Sequence, residues 1–254
     1  MSTVDLPAVT DPSKSCGPAS SNVTRSMLGY LALAGPFYVV VSLAQALVRP
    51  GFDLSRHEWS LLAVGHHGWI QCANLVLTGL MTIVGGIGAW RALPPTTRGR
   101  RWVGALLTAY GTALVGAGVF RADAADGFPL GTPAGRPAQP SPHGLLHLLC
   151  GSIGFACLIA TCFLVARIYA RRSDRRAAAV SVLVGVLFTS AFAGIASGAG
   201  NSAVNIVFTL AVIISYAWLT AVAVDLYRLT RRIDREREDA DLARRGRLAD
   251  GQDR

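Results

Sequence analysis

Six apolar runs, at residues 27–48, 66–89, 102–120, 143–168, 177–199 and 203–227, constrain this chain more than any other feature of its sequence. Each is about 19–26 residues long, enough for a helix rising ~1.5 Å per residue to cross a hydrocarbon layer of about 30 Å. Lipid offers backbone amides no partner, so each run must satisfy its hydrogen bonds internally, as helix. Composition agrees: 52% of residues are hydrophobic and 15% charged, whereas a water-soluble fold carries about 25% charged residues. The expected fold is all-α, an integral membrane bundle of six transmembrane helices. It occupies residues 26–228, between an N-terminal tail (1–25) and a charged C-terminal tail (229–254).

The 24 cations, all but one of them Arg, exceed the 15 acids. Beside spans of bilayer length, that excess reads as a membrane-flanking collar rather than a nucleic-acid surface. Arg91, Arg98, Arg100 and Arg101 separate spans two and three. Arg167, Arg171, Arg172, Arg175 and Arg176 surround the turn between spans four and five. Lys14 and Arg25 precede span one, and nine Arg follow span six. Only Arg49, Arg56, Arg121 and Arg136 fall on the opposite side. Cytoplasmic loops carry the excess of Lys and Arg, which orients both termini inward in a cell membrane. The first 22 residues lack the basic start and short apolar run of a cleavable signal peptide. The five cysteines are odd in number, and Cys72, Cys150, Cys157 and Cys162 lie in or at the edges of spans, which excludes a disulfide framework.

With this topology all five histidines (His57, His66, His67, His143 and His147) gather at the outer end, together with Asp53, Glu58, Asp123 and Asp126. Ser141 is placed to cap a helix that Pro142 begins. His143 and His147, four residues apart, then project from its first turns. That spacing is the one helical zinc pairs use, although the Glu of the HExxH motif is missing. Asp123 has Arg121 as a ready surface partner, and the loop to Pro142, with five prolines from Pro129 onward, reads as a stiff lid. Trp59 and Trp69 suit the aromatic belt at the membrane boundary. Adjacent His66 and His67 diverge too far to share one ligand. Gly194 and Gly198 have the spacing of a close helix contact, and Asn205 is expected to face the interior.

The run Gly35-Pro36-Phe37, Arg49-Pro50-Gly51-Phe52-Asp53, Arg56-His57 and Gly68-Trp69-Ile70-Gln71 continues through Asn74 to Gly79, then Gly118 to Asp123 and His143 to His147. As a set it resembles the domain-of-unknown-function 998 family of prokaryotic multi-span membrane proteins, over most of residues 27–227. Arg121 stands where that family usually has proline. The resemblance implies six spans and one site formed by the outer Asp and His positions. It implies no activity.

Three functions remain open from the residues. In the first, the outer cluster recognises a lipid headgroup or a partner without catalysis. In the second, a membrane enzyme acts on a lipid or isoprenoid-like substrate, with Asp123, His143 and His147 and with Asp53, His57 or His66 as acid–base groups. His143 and His147 would serve as zinc ligands if that chemistry uses a metal. In the third, haem is held between one histidine of span two and one of span four.

Overall fold

The structure, a computed structural model, describes residues 18–198 and 201–252, with side chains over 21–198 and 201–242. It contains six α-helices: α1 (Pro18–Val48), α2 (Gly68–Ala92), α3 (Arg100–Val119), α4 (Pro142–Arg171), α5 (Arg175–Ala196) and α6 (Ser202–Gln252). All six are long and apolar enough to cross a membrane, and there is no strand among the described residues. Successive helices pack on one another in chain order, and α6 returns to pack on α1. The result is a closed ring of antiparallel helices. One end carries the histidines and the other most of the arginines.

Several boundaries differ from the apolar runs. Helix α1 begins at Pro18, within the segment expected as tail, and α6 continues without a break to Gln252. Its 51 residues make a rod of about 77 Å, more than twice the hydrocarbon thickness. Asn201 caps its start by accepting from the Val204 amide at 3.0 Å. Gly198 sits in the preceding turn at φ +74°, outside α5, so it forms no packing pair with Gly194. A tight backbone approach lies between α2 and α3, where a Cβ on Gly79 would come within 2.6 Å of the Gly111 carbonyl, and one on Gly111 equally near that of Gly79.

Two polar devices join α1 to its neighbours. Pro36 lies inside α1 and has no amide to give the carbonyl of Ala32. Thr220 of α6 supplies the missing donor, its hydroxyl reaching that carbonyl at 3.0 Å. Gly35 leaves room for the contact, since a Cβ there would meet the Tyr216 carbonyl at 2.9 Å. On the other side, Ser42 and Gln45 of α1 meet Gln71 and Asn74 of α2, all four buried. Gln45 donates to the Gln71 carbonyl oxygen at 2.8 Å, and Asn74 donates to the Ser42 hydroxyl at 3.1 Å and to the Tyr38 carbonyl at 3.2 Å.

Between α1 and α2 the chain dips into the ring rather than lying along its rim. Arg49 holds it by donating to the carbonyls of Leu62 (2.5 Å) and Val64 (2.6 Å). The short 3-10 helix Trp59–Ala63 is thereby buried, and Trp59, only 5% exposed, packs on Tyr38 with ring centroids 5.7 Å apart. Trp59 is therefore a core residue and takes no part in a boundary belt. Trp69 is 63% exposed, as such a belt requires.

Candidate functional site

Inside the ring, at the histidine end, lies a cavity of about 500 Å³, within the usual range for small-molecule sites. All six helices and the loop between α3 and α4 contribute to its wall, which is mostly apolar and aromatic. Its polar groups fall at two levels. At the mouth stand Glu58, Asp123, Arg136 and His147; deeper in are Trp59, Tyr110, Ser215 and Tyr216. The levels are separable along α4. The Tyr110 ring lies beside Gly154, seven residues or about 10 Å of helix below His147.

Helix α4 positions the mouth. Ser141 is its N-cap, accepting from the Gly144 amide at 3.0 Å. Asp123 accepts in turn from the Ser141 amide (2.8 Å) and hydroxyl (2.5 Å), so both carboxylate oxygens are engaged. A Cβ on Gly144 would collide with that carboxylate, so glycine is required there. The expected Arg121–Asp123 pair is absent: Asp123 belongs to the cap of α4, and Arg121 is exposed.

His147 is buried at the next turn. Its Nδ1 lies 2.9 Å from the Ala117 carbonyl and 2.8 Å from that of Phe120. Carbonyls only accept, so Nδ1 carries the proton, and Nε2 of the neutral ring presents a lone pair. That nitrogen has no hydrogen-bond partner among the described residues.

His57 is equally buried and differently used. Its Nδ1 accepts from the Asp53 amide (2.9 Å) and its Nε2 lies 3.0 Å from the Asp126 carbonyl. The ring also packs against Phe52 and Phe128. Both nitrogens serve backbone, and His57 is a strut between two loops. Asp53 is exposed and accepts from the Ser55 amide at 2.8 Å. Hydrogen bonding from Ser55 holds its carboxyl below the usual carboxylate range.

His66 and His67 are exposed, their rings edge to face at 4.9 Å, and His143 is exposed against Phe120. Of the six residues singled out from sequence, the structure brings Asp123 and His147 to one cavity. It sends His57 and Asp53 to a loop brace and leaves His66 and His143 on the surface. Among the described residues no three His, Cys, Asp or Glu side chains gather in a metal-holding group. Nor do α2 and α4 pack together, because α3 lies between them. The span-two histidines of the haem reading, His66 and His67, precede α2 and are exposed.

The deeper level was not apparent from the sequence. Tyr110 donates to the Tyr216 hydroxyl at 3.0 Å. Trp59 Nε1 and Ser215 Oγ are buried without a partner. The available signal was polar atoms midway along apolar spans, where each needs a partner in the bundle or in a ligand.

A ring of six apolar helices around a cavity defines a multi-pass membrane protein. The family model described as "Protein of unknown function (DUF998)" matches residues 32–225, and the chain belongs to that family. The matched region runs from α1 to α6 and includes every wall of the cavity. No curated protein and no solved structure matches the chain.

Proposed function

We propose that this protein sits in the cell membrane with both termini in the cytoplasm and its histidine end outward, and that it holds a lipid in the ring cavity without transforming it. The distribution of arginine supports the orientation. One observation carries the binding reading: a mainly apolar cavity whose wall includes Trp59 and Ser215, residues whose Nε1 and Oγ are buried and unpaired. An unmet buried polar group costs about 1–3 kcal/mol, a penalty that a ligand oxygen removes.

Gly151 provides the test. It lines the cavity, and a Cβ built on it meets nothing within 4 Å, so the Phe of Gly151→Phe starts from open space and takes up cavity volume. Mass spectrometry of the organic extract from protein purified in lipid nanodiscs should show one lipid enriched in the wild type and missing from Gly151→Phe. Identical lipid profiles would overturn the reading. For orientation, a C-terminal green fluorescent protein should fluoresce and a C-terminal alkaline phosphatase stay inactive; the reverse would invert the protein.

A catalytic reading rests on the unpartnered Nε2 of His147. It lacks a carboxylate–imidazole dyad among the described residues, since Asp123 bonds to Ser141 and His147 Nδ1 to backbone carbonyls. Conversion of the extracted lipid by the wild type, lost in His147→Ala, would establish it.

A further inference from the structure

We infer that the ligand is an uncharged lipid with an oxygen function partway along its length, and that it enters sideways from the bilayer, between the histidine-end halves of α4 and α5. This rests on the binding reading above and adds the route and the ligand class.

The route follows from what is tied and what is open. Above the cavity, the loop between α3 and α4 is fastened on three sides. Arg136 donates to the Ile195 carbonyl at the end of α5 (3.3 Å), His57 meets the Asp126 carbonyl, and Asp123 is bound to the start of α4. At the side, α4 and α5 meet through Phe155 against Phe188 and Phe192 (centroids 5.2 and 5.1 Å), and further along where a Cβ on Gly185 would touch Cys162 and Phe163. Nearer the histidine end, Leu148 and Ser152 of α4 and Ala196 of α5 are wall residues of the cavity and are nonetheless exposed. Wall residues that are also surface residues mark an opening. Leu148 lies six residues into α4, about 9 Å from its start, and is an exposed apolar side chain of a membrane-spanning helix.

The ligand class follows from charge, hydrogen bonding and volume. The mouth carries two carboxylates, Glu58 and Asp123, against one guanidinium, Arg136, an arrangement that disfavours a carboxylate or phosphate head. His147 Nε2 accepts there, which suits a hydroxyl. In the deeper level, Trp59 and Ser215 of the wall carry a buried N–H and a buried hydroxyl without acceptors, and a ligand oxygen that reaches them would satisfy them. A volume of about 500 Å³ corresponds to about 17 water-sized units of ~30 Å³ each, the bulk of one hydrocarbon chain rather than two.

The test uses the full chain in nanodiscs and follows Trp59 emission, with Trp59→Phe as the background. Three probes are titrated: a long-chain primary alcohol with a mid-chain ketone, the same alcohol without it, and the corresponding keto acid. The keto alcohol should bind about tenfold tighter than the plain alcohol, the effect of one hydrogen bond of about 1.4 kcal/mol. Ser215→Ala should erase that preference, and the keto acid should bind weakest. The double variant Leu148→Phe/Ser152→Phe, at two exposed positions, should slow the onset of the signal. Equal affinity for both alcohols, or a preference intact in Ser215→Ala, overturns the oxygen station; tight binding of the acid overturns the uncharged class; an unchanged onset overturns the lateral route. In each of those cases a signal abolished by Gly151→Phe keeps the binding reading standing. No saturable signal from any probe, together with identical lipid extracts, removes both.

Discussion

His57 and His147 are both buried imidazoles at one end of the bundle, and the backbone uses them in opposite ways. His57 gives both nitrogens to loops, and His147 gives one and keeps the other for the cavity. Truncating the two should therefore separate stability from binding. His57→Ala leaves the Asp53 amide unpaired beside a void and the Asp126 carbonyl with Arg56 alone, a loss of about 2–4 kcal/mol that a fall in unfolding midpoint would report. His147→Gln, which retains a polar side chain, should fold and lose lipid. Asp53 makes a prediction about pH. Its carboxyl is held below the usual carboxylate range in the folded protein, so its contribution is complete above that range and disappears as the pH falls through the lowered value. Asp53→Asn should thus lower the melting temperature slightly at neutral pH and not at all in strong acid. At this scale the sequence was only partly legible. Five histidines at one end were plain from charge and spacing, but which ring nitrogen a carbonyl takes depends on loops that carry no periodic signal.

Among the helices, the seam between α1 and α2 is the polar one. Gln71 is its hub, accepting from Gln45 and lying within hydrogen-bond distance of Ser42 and Asn74. Gln71→Leu should strand those donors and cost about 1–3 kcal/mol, toward the lower end because interhelical bonds in lipid average nearer ~0.6 kcal/mol. Unfolding of the variant in a denaturant series would measure it. The spans were readable because bilayer thickness fixes their length. Their contacts were not: Gly194 and Gly198 have the right spacing, yet the tight crossing is Gly79 on Gly111. Spacing along one helix does not say which neighbour faces it. Trp59 misled for a related reason, since an aromatic next to a span is a belt residue only if its segment stays at the surface, and Arg49 pulls this one inward.

For the molecule as a whole, the ring is the decisive feature. Six helices packed only with their sequence neighbours would make an open row; contact between the first and last closes it. That closure depends on Pro36 and Thr220 near the middle and on Arg25 with Asp234 (3.6 Å) at the arginine end. Synthesis runs from α1 to α6, so the seam forms only when the final span reaches its place. Tyr216 and Ser215, half of the deep polar level, arrive with that span. Every earlier stage of the nascent chain is an arc with its hollow open to lipid along one side. On the proposed lipid-holding reading, lipid would enter that hollow before the protein could be selective about what it holds. On that reading, closure of the ring would trap or expel what is already inside, and selectivity would begin when the sixth helix docks.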